Sequence, residues 1–169
     1  MRDDLAIPLR FQDFDRASQK KNFGQNTRHF EYATYLSTRD MARLGLLAMS
    51  HGLWGKTSWA DSGFIDFSVY PTTHFSDRNE LKAEGWTGRW GYGMLWWAWD
   101  VPLYPGNIAS GPWQGAFSAM GANGQYITAF PFWNLLVVHK VNIDQDESRK
   151  ITEPHLYDHP RHGARCKVR

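Results

Sequence analysis

The sequence predicts an α+β fold, an antiparallel sheet with flanking helix, on three observations. One stretch repeats apolar residues at helical spacing behind a capping residue; four later runs have strand character; and the last three of these are joined by links too short for crossovers, which forces antiparallel neighbours. The chain has 169 residues, 42% hydrophobic and 21% charged. That is an ordinary globular composition, long enough for one domain with a core, and it excludes a disordered chain.

Residues 1–35 show no sustained period and read as an irregular lead-in packed through Ile7, Leu9, Phe11 and Phe14. The stretch "LSTRDMARLGLLAMSHG" then changes character. Ser37 with Asp40 three residues on resembles a capping box, Met41, Leu44, Leu47 and Ala48 recur on one face, and Gly52 suits the stop, so a helix is predicted over 37–51. Asp40 and Arg43, one turn apart, read as a solvated ion pair worth a few tenths of a kcal/mol. Residues 53–90 carry Gly, Pro and Ser-Asp punctuation and read as a long surface connection with short elements.

Strands are predicted over 91–100, 115–121, 124–131 and 135–142. The first, within "GYGMLWWAWDVPL", is apolar at both parities and reads as a single strand covered on both faces. Asn123-Gly124 is a tight-hairpin signal in its own right, because both central residues of a type I′ turn need positive φ. A domain over 1–145 is followed at 146–169 by a basic tail with little apolar content and two prolines, expected to be loose.

The formal charge is +2 and the basic residues are scattered, so no nucleic-acid face is expected. No stretch reaches the roughly 18 apolar residues of a membrane span, and "MRDDLAIPLRFQDFD" lacks the apolar run of a signal peptide. Localisation is otherwise open. A single cysteine, Cys166, excludes an internal disulfide. His155, His159 and His162 have suggestive spacing, but Pro154 and Pro160 break the helix that would align them, so no metal site is expected.

Four motifs, in order, resemble the C-terminal part of the serine β-lactamase and penicillin-binding-protein superfamily, in its class C-like, β-lactamase-related branch of serine hydrolases. "LSTRDMARLGLLAMSHGLWGK" is similar to the family's Ser-Ala/Thr-Arg-Asp helix, "GYGMLWWAWD" to its Gly-Tyr-Gly strand, "FSAMGANGQYITAFP" to its Phe-x-Ala-x-Gly-x-x-Gly-Gln turn, and "NLLVVHKVN" to its closing strand. "AIPLRFQDFD" also resembles a family connection, with Arg10-Phe11 where Gly-Met is usual. The likeness spans about residues 5–145.

The resemblance implies ester, amide or β-lactam hydrolysis of a small molecule through an acyl-serine, with no metal and no nucleotide cofactor. It also implies a Ser-x-x-Lys and a Tyr-x-Asn that lie upstream of these motifs, so the sequence reads as a C-terminal fragment with no catalytic residue of its own, expected to be inactive alone. Ser18 and Lys21 in "SQKK" have the formal spacing but sit in a polar loop, and Tyr32, Tyr35 and Tyr92 lack an Asn two residues on. By the same resemblance Ala119, Met120 and Gly121 stand for the family's Lys-Thr-Gly strand, with Ala122 donating an oxyanion N–H; Phe117-Ser118-Ala119 is the alternative register. No Lys or His stands at the motif's first position, which points away from β-lactam carboxylate recognition or to lost activity.

A different class of function also fits: a non-catalytic remnant or binding module whose Trp96, Trp97, Trp99, Trp113 and Trp133 present an aromatic surface. With the upstream half absent, a set drawn from Trp96, Trp97, Trp99, Phe117, Ile127 and Val137 is expected to lack cover and to favour self-association.

Overall fold

A computed structural model describes residues 1–23, 28, 30–77, 90–100 and 113–142. Met1 leads into a π-helical turn, Arg2–Ala6, which buries Ala6 and brings in Leu9, 1% exposed. The lead-in is more ordered than expected: it contains an antiparallel ribbon of β1 (Lys20–Phe23) and β2 (Phe30–Ala33), with Lys21 opposite Tyr32 and Phe23 opposite Phe30. Leu9, Phe11 and Phe14 pack inward, but Ile7 is exposed.

The predicted helix forms as α1 (Thr38–Met49). Ser37 caps it, its hydroxyl accepting from the Asp40 amide at 3.1 Å. Gly52, at φ +83°, closes it by donating to the Leu47 carbonyl at 2.9 Å. The Asp40–Arg43 pair is not solvated. Asp40 is fully buried, and its two oxygens accept from the Gln12 and Asp13 amides at 3.0 Å each while Arg43 donates at 3.0 Å. The lead-in folds back over the helix start, which the local spacing does not show.

Between α1 and the sheet lie a two-residue ribbon, β3 (Leu53–Trp54) with β4 (Thr57–Ser58), and a short helix, α2 (Ser62–Ser68), capped by Asp61 accepting from the Phe64 amide at 2.8 Å. Short elements along a surface path were expected here, and residues 78–89 of that path lie outside the described ones.

The main sheet is an antiparallel meander of five strands: β5 (Trp90–Tyr92), β6 (Trp97–Trp99), β7 (Phe117–Gly121), β8 (Gln125–Phe130) and β9 (Leu135–His139). Mixed helix and antiparallel sheet is the predicted class. The stretch 91–100 is corrected, however: it is a hairpin, with Trp90 opposite Trp99 and Tyr92 opposite Trp97. The chain reverses because Gly93 donates to the Trp96 carbonyl at 2.8 Å and Leu95 takes φ +65°. A Cβ on Gly93 would lie 2.3 Å from the Ser68 carbonyl oxygen, so the turn docks on the end of α2 through a missing side chain.

Register places Phe117, Ala129, Ile127, Ala119, Leu136 and Val138 on the face under α1, where Leu36, Met41, Leu44 and Ala48 meet them. Burying each large apolar side chain of this set stabilises the fold by about 1.5–3 kcal/mol. Gly45 allows the close approach, since its Cβ would sit 2.6 Å from Ile127 Cγ2 and 2.7 Å from Leu136 Cδ1. The opposite face carries Trp97, Ser118, Thr128 and Val137 in one cross-strand row. The residues expected to lack cover therefore do not form one patch. Phe117 and Ile127 are sealed under α1, Trp96 packs edge-on against Phe117, and Val137, 37% exposed, lies on the other face. The tail 146–169, with Cys166 and the three spaced histidines, lies outside the described residues.

Two outcomes follow from this packing. Asp40→Ala strands the part-buried Gln12 and Asp13 amides and the Arg43 cation, and is expected to cost about 2–4 kcal/mol in urea unfolding. Gly93→Ala is expected to destabilise by more than Gly55→Ala, because Gly55 at φ +63° has nothing within 4 Å and pays only the left-handed strain of about 1–2 kcal/mol. Equal urea midpoints for the two variants would count against the docked turn.

Candidate functional site

The site residues named from sequence meet at the far end of β7. Ala119, opposite Ile127, points to the α1 face and packs on the core; Met120, opposite Tyr126, points to the other face. Gly121, opposite Gln125, ends the strand, and a Cβ there would come within 3.1 Å of Gln125. The strand end is therefore kept bare by crowding. Ala122, Asn123 and Gly124 form the three-residue link, with Asn123 at φ +63° and Gly124 at φ +99°. The left-handed backbone expected of Asn-Gly is present, in a loop one residue longer than the two-residue hairpin.

Two contacts staple this loop to the exit of β9. The His139 ring Nδ1 lies 2.6 Å from the Gly124 carbonyl oxygen; a carbonyl only accepts, so the ring carries its proton on Nδ1. Gln125 donates through Nε2 to the Val141 carbonyl at 2.8 Å. Further along, Lys140 Nζ donates to the Leu36 carbonyl at 2.5 Å and joins this end of the sheet to the start of α1. Ala122 itself is exposed, and among the described residues its N–H has no acceptor. Chemically, the loop end offers backbone donors, the Ala122 N–H first among them along the chain, beside a strand without side-chain bulk, on a fixed frame.

The alternative register centres on Ser118. Its hydroxyl is fully buried and shares a 2.8 Å hydrogen bond with Thr128, so it is part of the sheet interior. Ser18 and Lys21 are not brought together: the Ser18 hydroxyl donates to the Asp15 carbonyl at 2.8 Å, while Lys21 Nζ stands 3.4 Å from the centre of the Phe30 ring. Tyr92 packs against Trp97 with ring centres 4.8 Å apart, and Tyr32 and Tyr35 are exposed.

The tryptophans largely cover one another. Trp99 stacks on Trp113 at 4.7 Å and both meet the edge of Trp90, which is fully buried; Trp133 is 59% exposed at the tip of the β8–β9 link. Sequence reading missed two imidazole–carboxylate pairs, His51 with Asp66 at 2.5 Å and His74 with Asp100 at 3.2 Å. The second is the more built, since Asp100 also accepts from the Phe75 amide at 2.6 Å. Their partners lie 15 and 26 residues apart, and no local spacing marks them. Among the described residues no group of three or more His, Cys, Asp or Glu side chains is placed to hold a metal, and no helix is long and apolar enough to cross a membrane.

No known protein family matches the chain, and no curated protein matches it. Among solved structures it is similar to a protein assigned as a 6-aminohexanoate-dimer hydrolase from Bacillus anthracis, with 20% identity, a TM-score of 0.42, and cover of 70% of this chain and 27% of that one. The chain thus spans about a quarter of that neighbour's length.

The loop geometry has a direct check. Gly124→Val forces a branched side chain onto φ +99° and is expected to lower stability by at least about 1–2 kcal/mol, whereas Ala122→Ser, exposed and at a negative φ, is expected to leave the urea midpoint unchanged.

Proposed function

We propose that the chain is the C-terminal part of a β-lactamase-related serine hydrolase, which cleaves an ester or amide bond through an acyl-serine whose nucleophile and lysine come from protein outside residues 1–169. The end of β7 carries this reading. In acyl transfer the carbonyl oxygen gains charge, and each backbone N–H aimed at it is worth about 2.7–4 kcal/mol. The unpartnered Ala122 N–H, beside the bare backbone of Gly121, is such a donor, and the nucleophile's own N–H is the second. The order of helix, strand, turn and closing strand, with β7 and β8 as its central hairpin, supports the same assignment.

Ala119, Met120, Gly121 and Ala122 are the cleft strand in this reading, and a small-molecule substrate lies along it. Ala119, at the first position of the motif, is uncharged and packs on the core, so this strand brings no cation to steer a substrate carboxylate. A neutral ester or amide therefore suits the strand better than a β-lactam. In this reading the nucleophile lies outside residues 1–169, and the acyl-serine route needs no metal or nucleotide.

The chain alone is expected to hydrolyse nitrocefin and p-nitrophenyl acetate no faster than a serine-free control, with Ser18 unlabelled by a fluorophosphonate probe; acylated Ser18 in the mass spectrum refutes this. In an upstream-extended reading frame bearing Ser-x-x-Lys and Tyr-x-Asn, p-nitrophenyl ester hydrolysis is expected, and Ala122→Pro should lower kcat by about 100-fold with little change in KM. An unchanged kcat removes Ala122 from the oxyanion site.

A further inference from the structure

At the other end of the chain from the β7 loop, the N-terminal turn and the β1–β2 ribbon enclose an open groove of about 460 Å³. Its charged lining is Arg2, Arg16, Lys20 and Lys21 against one carboxylate, Asp3. That carboxylate stands 3.9 Å from Arg2, both side chains being more than half exposed, so it offsets little of the charge. Arg16, Lys20 and Lys21 have no carboxylate partner among the described residues. In a chain whose formal charge is only +2, this is a concentration of cations in one place.

The lysines are held by aromatic rings instead of anions. Lys21 Nζ is 3.4 Å from the centre of Phe30 and 5.6 Å from that of Tyr32, and Lys20 Nζ is 5.6 Å from that of Tyr35. A ring face attracts an ammonium without neutralising it and leaves its outer side open for an anion. The floor is braced by Gln19, whose amide donates to the Asp15 and Tyr35 carbonyls at 2.8 and 3.0 Å and accepts from the Tyr35 amide at 2.9 Å. The guanidinium fork of Arg16 and the point charges of the lysines match phosphate oxygens. Four cations against one carboxylate leave an excess of positive charge that a single phosphate, at most doubly negative, compensates only in part and that two linked phosphates match better.

We propose that this groove is a binding site for a ligand carrying two or more linked phosphate groups, independent of the hydrolase reading. Calorimetric titration of the full chain with inorganic pyrophosphate at low ionic strength is expected to show saturable one-to-one binding that weakens as salt is added. Amide shifts on titration should centre on residues 19–21 and 32–34. The double variant Arg16→Gln with Lys21→Gln should bind at least about tenfold more weakly, while Lys56→Gln, an exposed cation on the β3–β4 turn, should bind as the parent does. Sedimentation with vesicles containing diacylglycerol pyrophosphate, reversed by pyrophosphate, assigns the linked phosphates to a lipid headgroup; pyrophosphate binding without sedimentation assigns them to a soluble ligand. Absence of heat and of amide shifts at millimolar pyrophosphate overturns the proposal, as does equal weakening by Lys56→Gln.

Discussion

The Asp40 carboxylate is the constraint on which the arrangement of the first half depends. A buried carboxylate is stable only if its lone pairs are filled, and here two backbone amides from the lead-in and one guanidinium fill them. The hydrogen bonds to Gln12 and Asp13 fix where the lead-in crosses the helix start. Asp13 is held in turn by the Ser37 hydroxyl, which donates to it at 2.7 Å, and Gln12 by Arg39 at 2.6 Å. With that crossing set, Phe11 and Phe14 close over the cluster of Leu36, Met41 and Ile127. One polar group thus positions an apolar layer.

From the helix the constraint passes to the sheet by contact. The stripe of Met41, Leu44, Gly45 and Ala48 meets β8 and β9, and Gly45 lets Ile127 and Leu136 come closer than any side chain would allow. Lys140 adds a polar tie from the exit of β9 to Leu36, just before the helix. The β7–β8 loop is therefore carried on strands whose outer edge is pinned to the same helix that Asp40 orients. A backbone donor at its end, such as the Ala122 N–H, inherits that rigidity.

How much of this is legible in the sequence depends on the range of each interaction. The helix declares itself, because Ser37, the apolar stripe and Gly52 act within a few residues of one another. Strands β7, β8 and β9 do so as well, since Asn123-Gly124 and Pro131 mark the reversals. The β5–β6 hairpin does not. Its turn, Gly93-Met94-Leu95-Trp96, has no Asn, Asp or Pro, and Leu95 at φ +65° is a residue that sequence would place in the strand. What stabilises the reversal is the docking of Gly93 on the Ser68 carbonyl, a contact between segments 25 residues apart. The burial of Asp40 is hidden for the same reason: Arg43 is near in sequence and visible, whereas Gln12 and Asp13, whose segment covers the carboxylate, are not.

The candidate site divides along the same line. The bare strand end and its left-handed loop follow from Gly121, Asn123 and Gly124 and are readable from composition alone. The staple from His139 to Gly124 is not, because it needs the register of β9 against β8, in which His139 falls opposite Tyr126. That register is set by the apolar alternation of Leu136 and Val138 against α1, for a slip by one residue would turn both into the opposite face and carry His139 away from the loop. Core packing on one face thus holds a polar contact at the strand end, and the loop conformation that frees the Ala122 N–H rests on hydrophobic residues that never touch it.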